Sequence, residues 1–205
     1  VREAPNGALS QAETATMRAS IFVLYMLAAA TIWCGVVGLY APLFAWSEWV
    51  KGINLVYLPH GVRLVVVILF GLPGAIGIGL GTAAMGWQEM QANPLLWLTQ
   101  SVVAGGAPWL ALWIAVRLRW GGDLERRLGR LESGFASYDG HSLLALALMS
   151  AVLNSGGHVL AWLGLDPQAD RFDARFATMF VGDLFGAMLV LYGLRLLFVR
   201  LTRDA

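Results

Sequence analysis

Charge is what this sequence has least of. Only 13% of its 205 residues are Asp, Glu, Lys or Arg, against roughly 25% in a soluble domain, which points to a solvent other than water. A single cysteine, Cys34, excludes an internal disulfide and a cysteine-cluster metal site. Set in an apolar stretch, it reads as a buried, inert thiol. The three histidines, His60, His141 and His158, carry no metal-ligand spacing. Haem or metal bound between His60 and His158 finds no second ligand motif in its support, so neither metal nor cofactor is expected. No His-Glu-x-x-His, no paired carboxylates and no Ser/His/Asp set are visible, and the chain is therefore read as non-enzymatic. Ten-residue alternating segments are missing too, which argues against a membrane β-barrel. A net charge of +1, with one arginine-rich loop as the sole basic stretch, gives no reason to expect nucleic acid.

What the sequence does have is apolar length: 58% of the residues are hydrophobic and nine are tryptophan. Several blocks approach the roughly 20 residues that cross a bilayer. The fold class is accordingly all-α, a polytopic transmembrane helical bundle. Residues 1–20 are too polar and acidic for a cleavable signal peptide and read as a solvated tail; residues 21–200 form one transmembrane bundle and 201–205 a short tail. The first span runs from Ile21 to Tyr40 and ends at Ala41-Pro42. Leu43 to Val56, with Trp46, Trp49, Glu48 and Lys51, suits an interfacial helix or loop. Further blocks cover Leu95 to Val116, Ser142 to about Leu165, and Phe176 to Phe198. Residues 117–132 make an amphipathic surface helix, with Leu124, Leu128 and Leu131 on one face and Glu125, Arg126, Arg127 and Arg130 on the other.

The stretch from Tyr57 to Met90 organises the rest. Gly61 to Leu72 is about a dozen residues, roughly 18 Å of helix, and Ala75 to Trp87 is about as long, so neither half crosses the bilayer alone. Either they form one kinked span or a hairpin turning at Pro73-Gly74, where a missing N–H and a permissive φ favour a turn. Arginine placement discriminates. With the hairpin, Arg2, Arg18, the arginines between Arg117 and Arg130, Arg195, Arg200 and Arg203 share one side. Lys51, Arg63, Arg171 and Arg175 are left near the other. The positive-inside rule then puts both termini and residues 117–132 in the cytoplasm, with about six spans.

Under that topology His60, Arg63, Gln100, Asn154, His158 and Asp183 converge in the outer half of the bundle. Arg63 and Asp183 are the natural pair, since a lone charge at depth costs at least ~2.5 kcal/mol on insertion scales, with hydrogen bonds expected from Asn154 or His158. The cluster reads either as a tie between the second and last spans or as the lining of an outward pocket, in which Arg63 receives an anion or His158 titrates. His60, following Pro59 at the interface, and His141 read as solvated. Gly77 and Gly81, four apart, and Ala75, Gly79 and Ala83 form two small-residue faces suited to helix packing.

Three pieces together resemble a known family. Leu58-Pro59-His60-Gly61-Val62-Arg63, the apolar run to Gly71, and Pro73-Gly74-Ala75-Ile76-Gly77-Ile78-Gly79-Leu80-Gly81 are similar to the opening of the first type of bacterial membrane-associated sensor domain. Gly182-Asp183-x-x-Gly186 resembles the motif that closes it, with Phe180 in the place of a tryptophan. The resemblance spans about Ile21 to Phe198 and implies an input module of the bacterial inner membrane, of a kind usually fused to histidine kinase, diguanylate cyclase or phosphodiesterase domains; here no fused output domain is expected, so a ligand or protein partner bound in the membrane would signal through a separate partner. His60 and Arg63 replace the small or proline residues more usual in the family. Partners expected are membrane lipids and a protein or membrane complex. Two other classes fit the composition: an accessory subunit of a photosynthetic or respiratory complex, with Gly77 and Gly81 against another subunit, and the substrate-binding component of a small-molecule transporter.

Overall fold

A computed structural model describes residues 6–50, 53–118, 140–166 and 172–203. Among them are helices α1 (Asn6–Phe44), α2 (Leu58–Met85), α3 (Trp87–Ala92), α4 (Pro94–Arg117), α5 (Gly140–Leu165) and α6 (Phe172–Arg203). A single 3-10 turn, Ala45–Ser47, leads into a small antiparallel hairpin of β1 (Glu48–Val50) and β2 (Ile53–Asn54). Five of the helices, α1, α2, α4, α5 and α6, are long and apolar enough to cross a membrane. The chain is a multi-pass membrane protein with an all-α bundle.

α2 turns back on itself. Gly71 sits at φ 61°, ψ −136°, outside the helical region, and the residues on either side of it run in opposite directions along α1. On the first arm, residues 58–70, Tyr57 meets Tyr40 edge to face at 5.2 Å, Arg63 lies over Trp33 at 4.4 Å, and Phe70 stacks on Tyr25 at 5.0 Å. On the second arm, residues 72–85, Gly77 faces Met26 and Ala29, and Gly81 faces Trp33 and Cys34. Arg63 and Gly81 thus reach the same level of α1. Two arms of about 13 residues each, roughly 20 Å, make the hairpin read from the arginines.

The turn is at Gly71, however, and not at Pro73-Gly74. Pro73 falls in the first turn of the returning arm, where its missing N–H has no partner to lose. Gly74 serves close approach, because a Cβ there would come within 2.8 Å of the Val66 carbonyl oxygen across the turn.

Beyond α2 the chain passes up and down. α4 runs antiparallel to the returning arm: Gly79 faces Ser101, Gly105 faces Ala75, and Trp97 Nε1 donates to the Ala83 carbonyl at 2.9 Å. Asn93 caps α4 by accepting from Leu96 N at 3.1 Å and donates to the Leu165 carbonyl at 2.7 Å, which ties the start of α4 to the end of α5. α5 and α6 are antiparallel, with Tyr192 donating to the Gly140 carbonyl at 2.5 Å. α6 returns to the first arm of α2, where Gly61 packs on Gly186 and Val190. The start of α1, the last residues of α6, and the ends of α4 and α5 that flank residues 119–139 consequently lie at one end of the bundle. The β-hairpin and α3 lie at the other.

The core mixes alanines with large side chains, among them Leu64, Val67, Ile78, Leu143 and Leu191. Ala29, Ala104, Ala111, Ala147, Ala151 and Ala187 are buried, while Leu24, Leu39, Leu98, Val102, Leu160 and Leu189 are exposed. The exposed leucines are what lipid permits, since tails as apolar as leucine give no reason to bury every one, and the alanines let the backbones approach closely.

Two sequence expectations change, and a third falls largely outside the described residues. Helix α1 starts at Asn6 and continues through Pro42 to Phe44, so much of the tail of residues 1–20 is helical and the first span does not stop at Ala41-Pro42. Near a helix end Pro42 removes one bond without breaking the ladder that matters. Of the two readings for residues 43–56, a helix or a loop, the described residues take the second: after α1 ends at Phe44 come the 3-10 turn and the short strands β1 and β2. Of the amphipathic helix expected over 117–132, Arg117 and Leu118 end α4, and residues 119–132 lie outside the described residues.

Candidate functional site

The β-hairpin end of the bundle, opposite the turn of α2, holds the polar cluster, and small residues position it. The extended segment leading into α2 crosses α6 at Gly182 and Gly186, where a Cβ would strike the carbonyls of Asn54 and Tyr57. Tyr57 N donates to the Gly182 carbonyl at 2.9 Å. That contact seats the start of α2 beside Asp183, one residue on from Gly182.

A chain of hydrogen bonds follows. Arg63 Nη1 donates to Asn154 Oδ1 at 2.8 Å, and Asn154 Nδ2 donates to Asp183 Oδ2 at 2.7 Å. Ser155 Oγ donates more weakly to the same oxygen at 3.4 Å. Arg63 and Asp183 do not touch; Asn154 stands between them, and its amide is the one uncharged group of that size that can accept from one and donate to the other. All three residues are buried. The guanidinium also packs over Trp33 and, at 5.5 Å, over Tyr57, a cation–π setting that offsets part of its desolvation. Burial raises the pKa of the Tyr57 phenol, so its O–H stays protonated beside Arg63.

On the far side of Asp183 lies His60. It is fully buried, not solvated as its position after Pro59 suggested. Nδ1 is 3.6 Å from Asp183 Oδ1, and Nε2 is 3.0 Å from Ser150 Oγ. A Ser/His/Asp set that no sequence spacing revealed is therefore assembled from α5, α2 and α6. Its order is that of a hydrolase triad, but His60 Nδ1 makes no hydrogen bond to Asp183, and Ser150 and His60 have no solvent exposure and line neither of the two cavities at this end. What this arrangement provides is a tie among three helices.

His158 does not join Asp183. Its Nδ1 pairs with Gln100 Oε1, and Gln100 Nε2 donates to the His158 carbonyl at 3.4 Å, which joins α4 to α5. The His158 ring lies 6.1 Å from that of Trp162. His141, by contrast, is exposed at the opposite end, as expected. Cys34 is half-buried and its thiol donates to the Gly81 carbonyl at 3.7 Å. No group of three metal-ligating side chains occurs among the described residues.

Arg63, Gln100, Asn154, His158 and Asp183 share the wall of one cavity of about 300 Å³, with Tyr57, Thr82, Glu89 and Trp162 among its other lining residues. A second cavity of about 260 Å³, walled by Trp33 and Trp97, shares Tyr57, Arg63, Thr82, Glu89 and Gln100 with the first. The two are lobes around Arg63. Of the six polar residues expected to converge, His60 alone stands behind the cavity.

Sequence reasoning missed Ser150, Ser155, Tyr57 and Glu89. Ser150 was findable: Ser150, Asn154 and His158 follow one another at four-residue spacing, a polar stripe on an otherwise apolar helix. Glu89 carried no signal, since α3 joins the site only through the fold.

Gly77 and Gly81 press on α1, and Ala75 and Gly79 on α4. Both small-residue faces are used within the chain. Compared with family models, with curated proteins and with solved structures, the chain matches none of them.

Proposed function

We propose that this chain is a non-enzymatic binding module of the sensor type in the bacterial inner membrane, with both termini cytoplasmic and the β-hairpin end facing the periplasm. A ligand in the cavity at that end acts on the helices that Asn154 joins, and their opposite ends present the change to a separate partner. One observation carries this reading. The buried Arg63–Asn154–Asp183 chain forms part of the wall of a cavity of about 300 Å³, where a network serving only to pin helices would gain by closing on itself. Intramembrane charge is costly and is characteristically retained for function.

The enzymatic alternative is disfavoured because Ser150 and His60 are sealed from the cavity. An accessory subunit was to use Gly77 and Gly81 against another chain, and these are occupied by α1. A transporter component remains distinct by partner: it would purify with an energising ATPase subunit.

The test is purification in mild detergent, with mass spectrometry of the small molecules and proteins that accompany the wild type, Arg63→Ala and Asp183→Asn. A small molecule held by the wild type and lost from folded, inserted variants is the expected result. Identical companions for all three proteins would count against the proposal.

A further inference from the structure

Once the internal bonds are counted, the cavity at the β-hairpin end retains two groups able to take a ligand. Arg63 is 5% exposed, and its Nε has no hydrogen-bond partner. Nη1 is committed to Asn154, and Nη2 reaches Tyr57 only at 3.5 Å. A buried guanidinium N–H left unmet is costly, and the group it calls for is an acceptor oxygen, best an anionic one. Asp183 cannot supply it, because Oδ2 already accepts from Asn154 and Ser155 and Oδ1 faces His60.

The second group is Glu89. It lines both lobes, its side chain is exposed, and no hydrogen bond or ion pair holds its carboxylate among the described residues. A simple anion on Arg63 would share the cavity with this charge. A simple cation drawn to Glu89 would meet Arg63. A molecule carrying both signs satisfies each group, and lobes of about 300 and 260 Å³ are at or below the small end of ligand pockets.

We propose that the cavity binds a small zwitterion, with its carboxylate or phosphate on the Arg63 guanidinium and its ammonium on Glu89. This rests on the binding-module reading and adds the chemical class. The same pair of charges occurs in a free amino acid and in the ethanolamine headgroup of a phospholipid, and the site, at one end of a membrane bundle, is open in principle to either source.

The test uses the full chain in mild detergent, with unfolding midpoints measured against L-alanine and phosphoethanolamine as zwitterions, and propionate and ethylamine as their single-charge counterparts. A zwitterion should stabilise with an apparent affinity at least tenfold above propionate and ethylamine. Glu89→Gln, at an exposed position that leaves folding intact, should erase that margin, with the propionate response strengthened once the repelling carboxylate is gone; Arg63→Gln should abolish both. In parallel, native mass spectrometry from nanodiscs of mixed phosphatidylethanolamine and phosphatidylglycerol should show retained phosphatidylethanolamine, lost in Glu89→Gln, if the source is lipid. Stabilisation by the free compounds without lipid retention assigns the soluble source. Equal response to propionate and zwitterion, or no effect of Glu89→Gln in either experiment, overturns the proposal while leaving the binding-module reading to its own test. Silence of all four probes together with no retained lipid overturns it as well; a different molecule lost from Arg63→Ala would then still support the broader reading.

Discussion

Asn154 accepts from Arg63 through one end of its amide and donates to Asp183 through the other, so alanine there would strand a buried cation and a buried carboxylate together. Hydrogen bonds between membrane helices average only about 0.6 kcal/mol, reaching about 1.7, because the unfolded chain also finds partners in lipid. Bonds to charged groups lie toward the upper end. Asn154→Ala should therefore lower stability by about 2 kcal/mol, and Asn154→Gln should not restore it. Unfolding of both variants in detergent would decide, and stability equal to wild type for Asn154→Ala would mean that the chain of bonds holds nothing. Gly186 offers a second case. A Cβ there would meet the Tyr57 carbonyl, which is backbone and cannot swing aside, whereas Gly35 and Gly38 have nothing within 4 Å. Gly186→Ala should cost about 1–3 kcal/mol, and Gly38→Ala should be neutral or stabilising by up to about 1 kcal/mol; parallel unfolding curves compare them. The sequence identified Asn154, Arg63 and Asp183 because polar residues in apolar spans are few. It could not rank them, since which one bridges the others depends on three helices meeting.

Among the elements, α2 carries the decisive conformation. Gly71 adopts φ 61°, ψ −136°, a region open essentially to glycine alone. The space around it is empty, so any loss in Gly71→Ala comes from the backbone and not from a clash. That substitution should cost about 1–3 kcal/mol, with Pro73→Ala much milder because Pro73 does not make the turn. Thermal unfolding of the two variants would check the order; the reverse order would return the turn to Pro73-Gly74. The hairpin was legible from span length and arginine placement, both of which concern the bilayer. The turning residue was not legible, because Gly71, Pro73 and Gly74 all suit turns and only the packing of the arms assigns Gly74 to close approach beside Val66.

For the whole molecule, the hairpin changes parity. Five straight crossings would leave the termini on opposite sides; five long helices with one folded back would place them on the same side. Reporter fusions after residue 20, within 119–139 and after residue 203 should all report one compartment, and cysteines introduced near Trp46 and Trp49 should react with an impermeant reagent from the other. Opposite readings for the two ends would refute the folded-back α2. Given the arginines of the sequence, the shared compartment should be the cytoplasm.

Composition alone determined that this is an all-α membrane protein, because 13% charge and long apolar blocks have no other stable solvent. Spacing along single helices determined which small residues pack and which polar residues sit deep. Only the tertiary structure decided that Asn154 stands between Arg63 and Asp183, that His60 turns away to Ser150, and that Glu89 reaches the cavity. Those relations join residues from about 30 to 120 positions apart, and distance along the chain carries no record of distance across a bundle until the small-residue faces have drawn the helices together.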